Sequence, residues 1–225
     1  MSGANRLDRI RRFYREHPVM IALTYLPFYL LGFFLVEQFV QPRYIIHCAL
    51  DDLIPFCEYF IIPYAMWFVE LAVIPLLLLR YDLRQYYSLC FVMFVGMSLC
   101  LLCYVVLPNG LDLRVEITRH NLFAELVRLM QSVDTPTNVC PSIHVASSLA
   151  MDLALSRSCL GRRRGVKLLA HTVFVLIVLS TLFLKQHSVI DVVCGVFLTL
   201  LLQEIWVRLA RPAAEQVHAP EKIHS

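Results

Sequence analysis

Two short stretches of this chain bring together residue types suited to proton and phosphoryl chemistry. One reads "NVCPSIHVASS" at 138–148 and the other "STLFLKQHSVID" at 180–191. His187 and Asp191 are four apart, so on a helix they share one face. A carboxylate there holds one nitrogen of the imidazole, fixes its tautomer and leaves the other free to attack. Ser142 follows Pro141, and proline is favoured at a helix start. A helix beginning there directs unpaired backbone N–H groups toward an anion. His144 falls in its first turn, placed to give a proton to a departing oxygen. Arg114 and Lys185 supply positive charge around a phosphoryl group. Asn138 either contacts that group or ends the loop. Nucleophile, orienter, separate acid, anion cradle and cationic clamps together suit phosphoryl transfer through a covalent histidine.

The elements that would position these groups are membrane helices. The 225 residues are 59% hydrophobic and 16% charged, with a mean hydropathy of +0.66; a soluble domain is about half apolar and about a quarter charged. Stretches 18–36, 86–111, 135–151 and 168–184 contain no Asp, Glu, Lys or Arg. About 20 apolar residues cross a hydrocarbon core roughly 30 Å thick, and in lipid an open chain satisfies its backbone only as helix. The pattern predicts an all-α integral membrane protein, a six-transmembrane-helix bundle forming one membrane domain over 1–225. The spans fall at 19–38, 60–79, 86–107, 141–156, 166–184 and 188–208. The fourth is the shortest and most polar, and five spans is the competing count if it is re-entrant. Pro63 and Pro75 interrupt the second. The first has too long an apolar core for a signal peptide, and no cleavage site follows it.

Residues 5–16 set Leu7, Ile10, Phe13 and Tyr14 among arginines, which predicts a short interfacial helix on the cytoplasmic surface. The long outer loop, 108–140, opens with a Pro-Asn-Gly turn. It carries Phe123, Leu126, Val127 and Met130 at helical spacing, an amphipathic helix over the outer face. Basic residues cluster in the amino-terminal tail (Arg6, Arg9, Arg11, Arg12, Arg15), at Arg80 and Arg84, at Arg157, Arg162, Arg163, Arg164 and Lys167, and at Arg208, Arg211 and Lys222. Six spans bring all four groups to one face, cytoplasmic by the positive-inside rule. They are topology signals, so the partner is the bilayer and no nucleic acid is expected. Arg114, Lys185, the Ser142–His144 pair and the His187–Asp191 pair then share one depth on the opposite side. Polar groups at membrane depth are costly and mark functional pathways.

Other polar residues are read structurally. Asp51 and Asp52 cap the approach to the second span, and Asp152 and Glu70, carboxylates within spans, are each expected to find a polar partner inside the bundle. Of eight cysteines, Cys90, Cys100, Cys103 and Cys194 lie in spans as small hydrophobes. Cys48, Cys57 and Cys140 face outward, where pairing is left open by spacing alone.

At these residues the chain resembles the type 2 phosphatidic acid phosphatase superfamily, membrane lipid phosphate phosphatases and phosphotransferases. That family shows Lys-x6-Arg-Pro, then Pro-Ser-x-His, then Ser-Arg-x5-His-x3-Asp. "PSIH" at 141–144 matches the second motif in full, and Ser180, His187 and Asp191 match the third. Thr181 stands where the third motif has arginine. The first motif keeps only Arg114, with Val115 in place of proline and no lysine seven residues upstream.

The resemblance implies a six-span fold, His187 as the nucleophile that becomes phosphohistidine, Asp191 as its orienter, and His144 as the acid. Ser142 would bind phosphate, with Lys185, Arg114 and Asn138 as further contacts. It implies a lipid phosphate or pyrophosphate substrate, no metal and no cofactor. The site would face the extracytoplasmic side of a bacterial cytoplasmic membrane, since "TPTNVCPSIHVASS" looks most like bacterial members. Reduced positive charge also suits a relative that transfers a lipid headgroup, as sphingomyelin-synthase-like and inositolphosphorylceramide-synthase-like enzymes do.

Two rivals come from other classes. His144, His187, Asp191 and Cys140 include metal-ligand types, but no Cys-x2-Cys or His-Glu-x2-His spacing accompanies them and Lys185 disfavours a cation nearby. A transporter or channel relaying protons through its histidines is the other.

Overall fold

The computed structural model describes residues 3–210, so Arg211 and Lys222 lie outside the described residues. Helix α1 (Gly3–Glu16) leads into α2 (Val19–Phe39), a two-residue strand β1 (Tyr44–Ile45) and the short α3 (Ala49–Leu53). A 3-10 turn at Glu58–Phe60 opens α4 (Ile61–Tyr81), which α5 (Leu83–Val106) follows. Then come β2 (Asn109–Gly110), α6 (Leu122–Val133), α7 (Ile143–Arg157), α8 (Arg164–Phe183) and α9 (Val189–Ala210). The fold is all-α apart from the parallel pairing of β1 with β2.

Among the described residues, five helices are long and apolar enough to cross a membrane: Val19–Phe39, Glu58–Tyr81, Leu83–Val106, Arg164–Phe183 and Val189–Ala210. That fits an integral membrane protein. The expected fourth span is α7, with 15 residues, about 22 Å at 1.5 Å per residue. Its place explains its length. Apart from Arg157, no residue of α7 is exposed, and it packs against α4, α5, α8 and α9. Ala146, Ser147, Ser148, Ala150 and Ala154 keep it thin and buried, as small residues do where membrane helices approach closely. Helix α7 is thus the axis of the bundle, wrapped by longer helices.

Pro63 and Pro75 do not interrupt α4. Pro63 lies in the first turn, where no intrahelical acceptor awaits its missing N–H. Pro75 lies inside the helix, where packing against neighbours makes a proline tolerable.

Cross-links show which helix ends share a level. At one end, the Tyr86 hydroxyl donates to the Pro18 carbonyl. The Asp82 carboxylate accepts from Gln85 N, capping α5, and from Cys159 N just past α7. At the other end, Ser142 N donates to the Asp191 carbonyl and Cys57 N to the Phe183 carbonyl. The Tyr104 hydroxyl donates to the Pro141 carbonyl. The start of α4, the end of α5, the start of α7, the end of α8 and the start of α9 therefore meet.

Helix α6 covers that end. Asn121 caps it by accepting from Ala124 N, and Val127, Phe123 and Met130 pack with Ile61 and Tyr64 of α4. Arg119 holds both oxygens of the fully buried Glu58 at 2.9 and 2.8 Å, pinning the loop before α6. Asp51 departs from its expected role. Its carboxylate accepts from Ser188 Oγ at 2.6 Å and Val189 N at 2.8 Å, so it caps α9 and not the second span. Asp152 has a polar partner, as expected of a carboxylate within a span: His171 of α8 at 2.8 Å. Glu70 Oε2 is buried without one. All eight cysteines are free thiols.

Gly195 sets the distance between α9 and α7. A Cβ there would lie 2.9 Å from the Ser142 carbonyl oxygen and 3.3 Å from Val145 Cβ. Gly195→Ala is expected to overpack this crossing and cost about 1–3 kcal/mol, read as a lower melting temperature in detergent. Gly165→Ala, with nothing within 4 Å of the added carbon, should leave the melting temperature unchanged or raise it.

Candidate active site

The site grows from four element ends. Ser142 caps α7 by accepting from Val145 N at 3.3 Å, which aims the next residues of the first turn inward. His144 then lies against α4. Its ring centroid is 4.9 Å from that of Tyr64 and 4.3 Å from that of Trp67, and Trp67 Nε1 is fixed by donating to Ser147 Oγ. The extended segment before Ser142 is held by Asn109, whose side chain accepts from Val139 N and Cys140 N and donates to the Cys140 carbonyl. The Pro-Asn-Gly turn of the sequence is thus a clasp on the Pro-Ser-x-His segment.

His187 arrives from the opposite direction. Helix α8 ends at Phe183 with Leu184 as its cap, and Gln186 N and His187 N both donate back to the Thr181 carbonyl. Lys185 turns the chain there with φ of 57°, a left-handed conformation uncommon for a residue with a long side chain. Such conformations persist where the surroundings over-determine them, and here Lys185 Nζ donates to the Asp51 carbonyl at 2.6 Å. The turn delivers a 6% exposed His187 and a fully buried Asp191.

The two imidazoles meet. His144 Nδ1 is 3.2 Å from His187 Nε2, and their ring centroids are 5.4 Å apart. On the far side, His187 Nδ1 is 3.3 Å from Asp191 Oδ2, an oxygen that also accepts from Ser188 N at 2.8 Å. On the other flank, His144 Nε2 is 2.9 Å from the Tyr64 hydroxyl. That hydroxyl donates to Asp134 Oδ2 at 2.7 Å. Five side chains from four parts of the chain thus form one line of hydrogen bonds with a carboxylate at each end.

The other expected site residues make contacts outside this line. Arg114 donates to the carbonyls of Gln131 and Asp134 and, at 2.8 Å, to Gln186 Oε1; burial lowers its pKa from the ordinary guanidinium value. It holds the end of α6 beside the residue preceding His187. Lys185 points to α3, as described. Asn138, at φ of 57°, donates to Glu37 at 3.4 Å and to Thr137 at 3.2 Å, and its Oδ1 is buried without a partner. Ser142 is fully buried as the cap of α7. Cys140 precedes it as a free thiol.

A cavity of ≈ 790 Å³ runs from His144, Tyr64 and Asp134 to the flank of the bundle. Its walls are apolar and come from α2, α4 and α6, including the exposed Leu30, Ile62, Phe68, Leu129 and Val133. The cavity therefore opens sideways, where lipid would lie, with its polar end at the histidines.

Tyr64, Asp134, Gln186, Asp51 and Asn109 were not among the expected site residues. Only position could have singled them out: Tyr64 sits in the first turn of a span, Asp134 directly ends an amphipathic helix, and Gln186 adjoins His187.

Asp51 yields a test of how the His187 turn is held. Burial alone raises its carboxyl, but hydrogen bonds from Ser188, Val189 and Cys48 outweigh that and hold it below the ordinary value. A depressed native value stabilises the fold above the unfolded-state pKa, about 3.9, and the contribution is lost as pH falls through the native value. Asp51→Asn should therefore melt several degrees below wild type at neutral pH. The gap should narrow as the buffer is taken below about pH 4; a gap independent of pH would contradict this account. No family description, no curated protein and no solved structure matches this chain.

Proposed function

We propose that this chain is a membrane phosphatase that hydrolyses a lipid phosphate or pyrophosphate headgroup through a phosphohistidine on His187, as a member of the type 2 phosphatidic acid phosphatase superfamily. The observation that carries the reading is the meeting of His144 and His187 at 3.2 Å, with Asp191 behind His187. A phosphoryl group entering between the rings would part that contact and be flanked by both nitrogens.

In this reading the six helices α2, α4, α5, α7, α8 and α9 all cross the bilayer of a bacterial cytoplasmic membrane. The basic segments lie inside and the site outside. His187 Nε2 attacks phosphorus, the bond to the lipid oxygen breaks, and His144 Nδ1 gives that oxygen a proton. Water then attacks the phosphohistidine, loses its proton to His144 and releases phosphate. Asp191 keeps the His187 tautomer that leaves Nε2 nucleophilic. The N–H groups opening α7 stabilise charge on the phosphoryl oxygens, and Arg114, engaged with Gln186 and two carbonyls, adds positive charge from behind the residue preceding His187. The apolar cavity takes the lipid chain, with its polar end on His144.

Headgroup transfer is favoured over hydrolysis by one feature. Lys185 Nζ is engaged with the Asp51 carbonyl, which leaves less positive charge for a dianionic monoester than for a singly charged diester.

The deciding measurement is phosphate release and new lipid product, scored together for phosphatidic acid, an isoprenyl pyrophosphate and a phosphodiester lipid. His187→Ala is expected to abolish both products and the acid-labile phosphoenzyme. Asp191→Asn should lower kcat by about 10²–10⁴-fold at an unchanged melting temperature. Turnover surviving in His187→Ala would overturn the mechanism.

A further inference from the structure

The line of side chains through the site has more links than neutral side chains have hydrogens to fill. The links are Asp134–Tyr64 at 2.7 Å, Tyr64–His144 at 2.9 Å, His144–His187 at 3.2 Å and His187–Asp191 at 3.3 Å. Each needs one hydrogen. A phenol and two neutral imidazoles supply one each, which leaves one link unfilled. Ionised carboxylates at both ends supply none. One added proton completes the line and makes one imidazole an imidazolium between two carboxylates, the arrangement a low-dielectric site favours.

Resting on the phosphoryl-transfer reading, we propose that Tyr64 and Asp134 are positioning residues that charge His144 as the acid. A single proton shift between the two histidines then arms nucleophile and acid together. Before substrate binds, His187 carries hydrogens on both nitrogens, Nδ1–H toward Asp191 and Nε2–H toward His144. His144 is neutral and donates Nε2–H to the Tyr64 oxygen, whose own hydrogen goes to Asp134. When a phosphoryl group parts the rings, the Nε2 proton of His187 passes to His144 Nδ1. His187 is left neutral with a free pair on Nε2 and Nδ1–H still on Asp191. His144 becomes an imidazolium with Nε2–H on Tyr64. As the P–N bond forms, the P–O bond breaks and its electron pair stays with the lipid oxygen, which takes the Nδ1 proton of His144. His144 is then neutral and accepts a proton from water in the second half.

A charge on His144 is costly to bury, and two neighbours act in its favour. Asp134 acts on it through Tyr64, and the Trp67 ring is 4.3 Å away, within cation–π range. Tyr64, Trp67, His187 and, through Tyr64, Asp134 are the polar and titratable side chains set against the ring. Arg114 fixes the main chain at Asp134 through its carbonyl, so the carboxylate is held where Tyr64 reaches it.

The leaving group decides the test. An alkyl oxygen needs a proton to depart, whereas 4-nitrophenolate leaves without one. Tyr64→Phe and Asp134→Asn should lower kcat on a long-chain alkyl phosphate by about 10²-fold. On 4-nitrophenyl phosphate the change should be only a few-fold, and the phosphoenzyme should persist. A series of aryl phosphates should show rates depending more steeply on leaving-group acidity in both variants than in wild type. Equal losses on the two esters, or none on either, would overturn the proposal. Retained 4-nitrophenyl turnover also shows that the variants are folded, and Asp134→Asn, which keeps an acceptor for Tyr64, guards against a packing defect. Wild-type protein that cleaves neither ester would instead bring down the phosphoryl-transfer reading, and the relay with it.

Discussion

A polar group at the depth of a bilayer has no water to turn to, so each must find its partner within the protein. That constraint organises the site end of this molecule. His144 is bracketed by His187 and Tyr64, Asp191 is bound by Ser188 and His187, and Asp51 receives three donors. Where a group is left over, it is conspicuous: Asp191 Oδ1, Asn138 Oδ1 and Arg114 Nε are buried without partners. Glu70 Oε2 and Ser148 Oγ, in the body of the bundle, are left over as well.

Part of this arrangement was legible in the residues. The Pro-Ser opening of α7 is a local signal, and the helix begins there with Ser142 as its cap. The four-residue spacing of His187 and Asp191 also brings them into contact, although His187 lies in the turn two residues before α9. The count of alternating helix directions placed both histidines at one end, and they do touch. What was not legible comes from contacts between distant segments. Tyr64 reaches His144 across 80 positions and Asp134 across 70, and no periodicity encodes such a pairing. Lys185 and Arg114 were expected as phosphate contacts, but where a long side chain points depends on acceptors supplied by α3 and α6. Asp51 illustrates the same limit: two adjacent carboxylates before a span look like its cap, and the true recipient is the start of α9.

The shortness of α7 follows from the same physics. A lipid-facing helix must match the hydrocarbon thickness, but α7 touches other helices on nearly every face. Its length is set by the Asp82 turn at one end and the Asp191 carbonyl at the other. It can begin with a serine and a histidine because those groups meet protein, not hydrocarbon. The small residues that let α5, α8 and α9 close around it also make it the most polar of the expected spans, and at 15 residues it is shorter than the five long apolar helices.

The sideways opening of the cavity between α2, α4 and α6 has a kinetic meaning. A molecule arriving there travels within one leaflet, so its chance of meeting His144 scales with its mole fraction among neighbouring lipids and hardly at all with its amount per litre of water. Dilution by inert phospholipid would slow such encounters, while dilution by buffer would not.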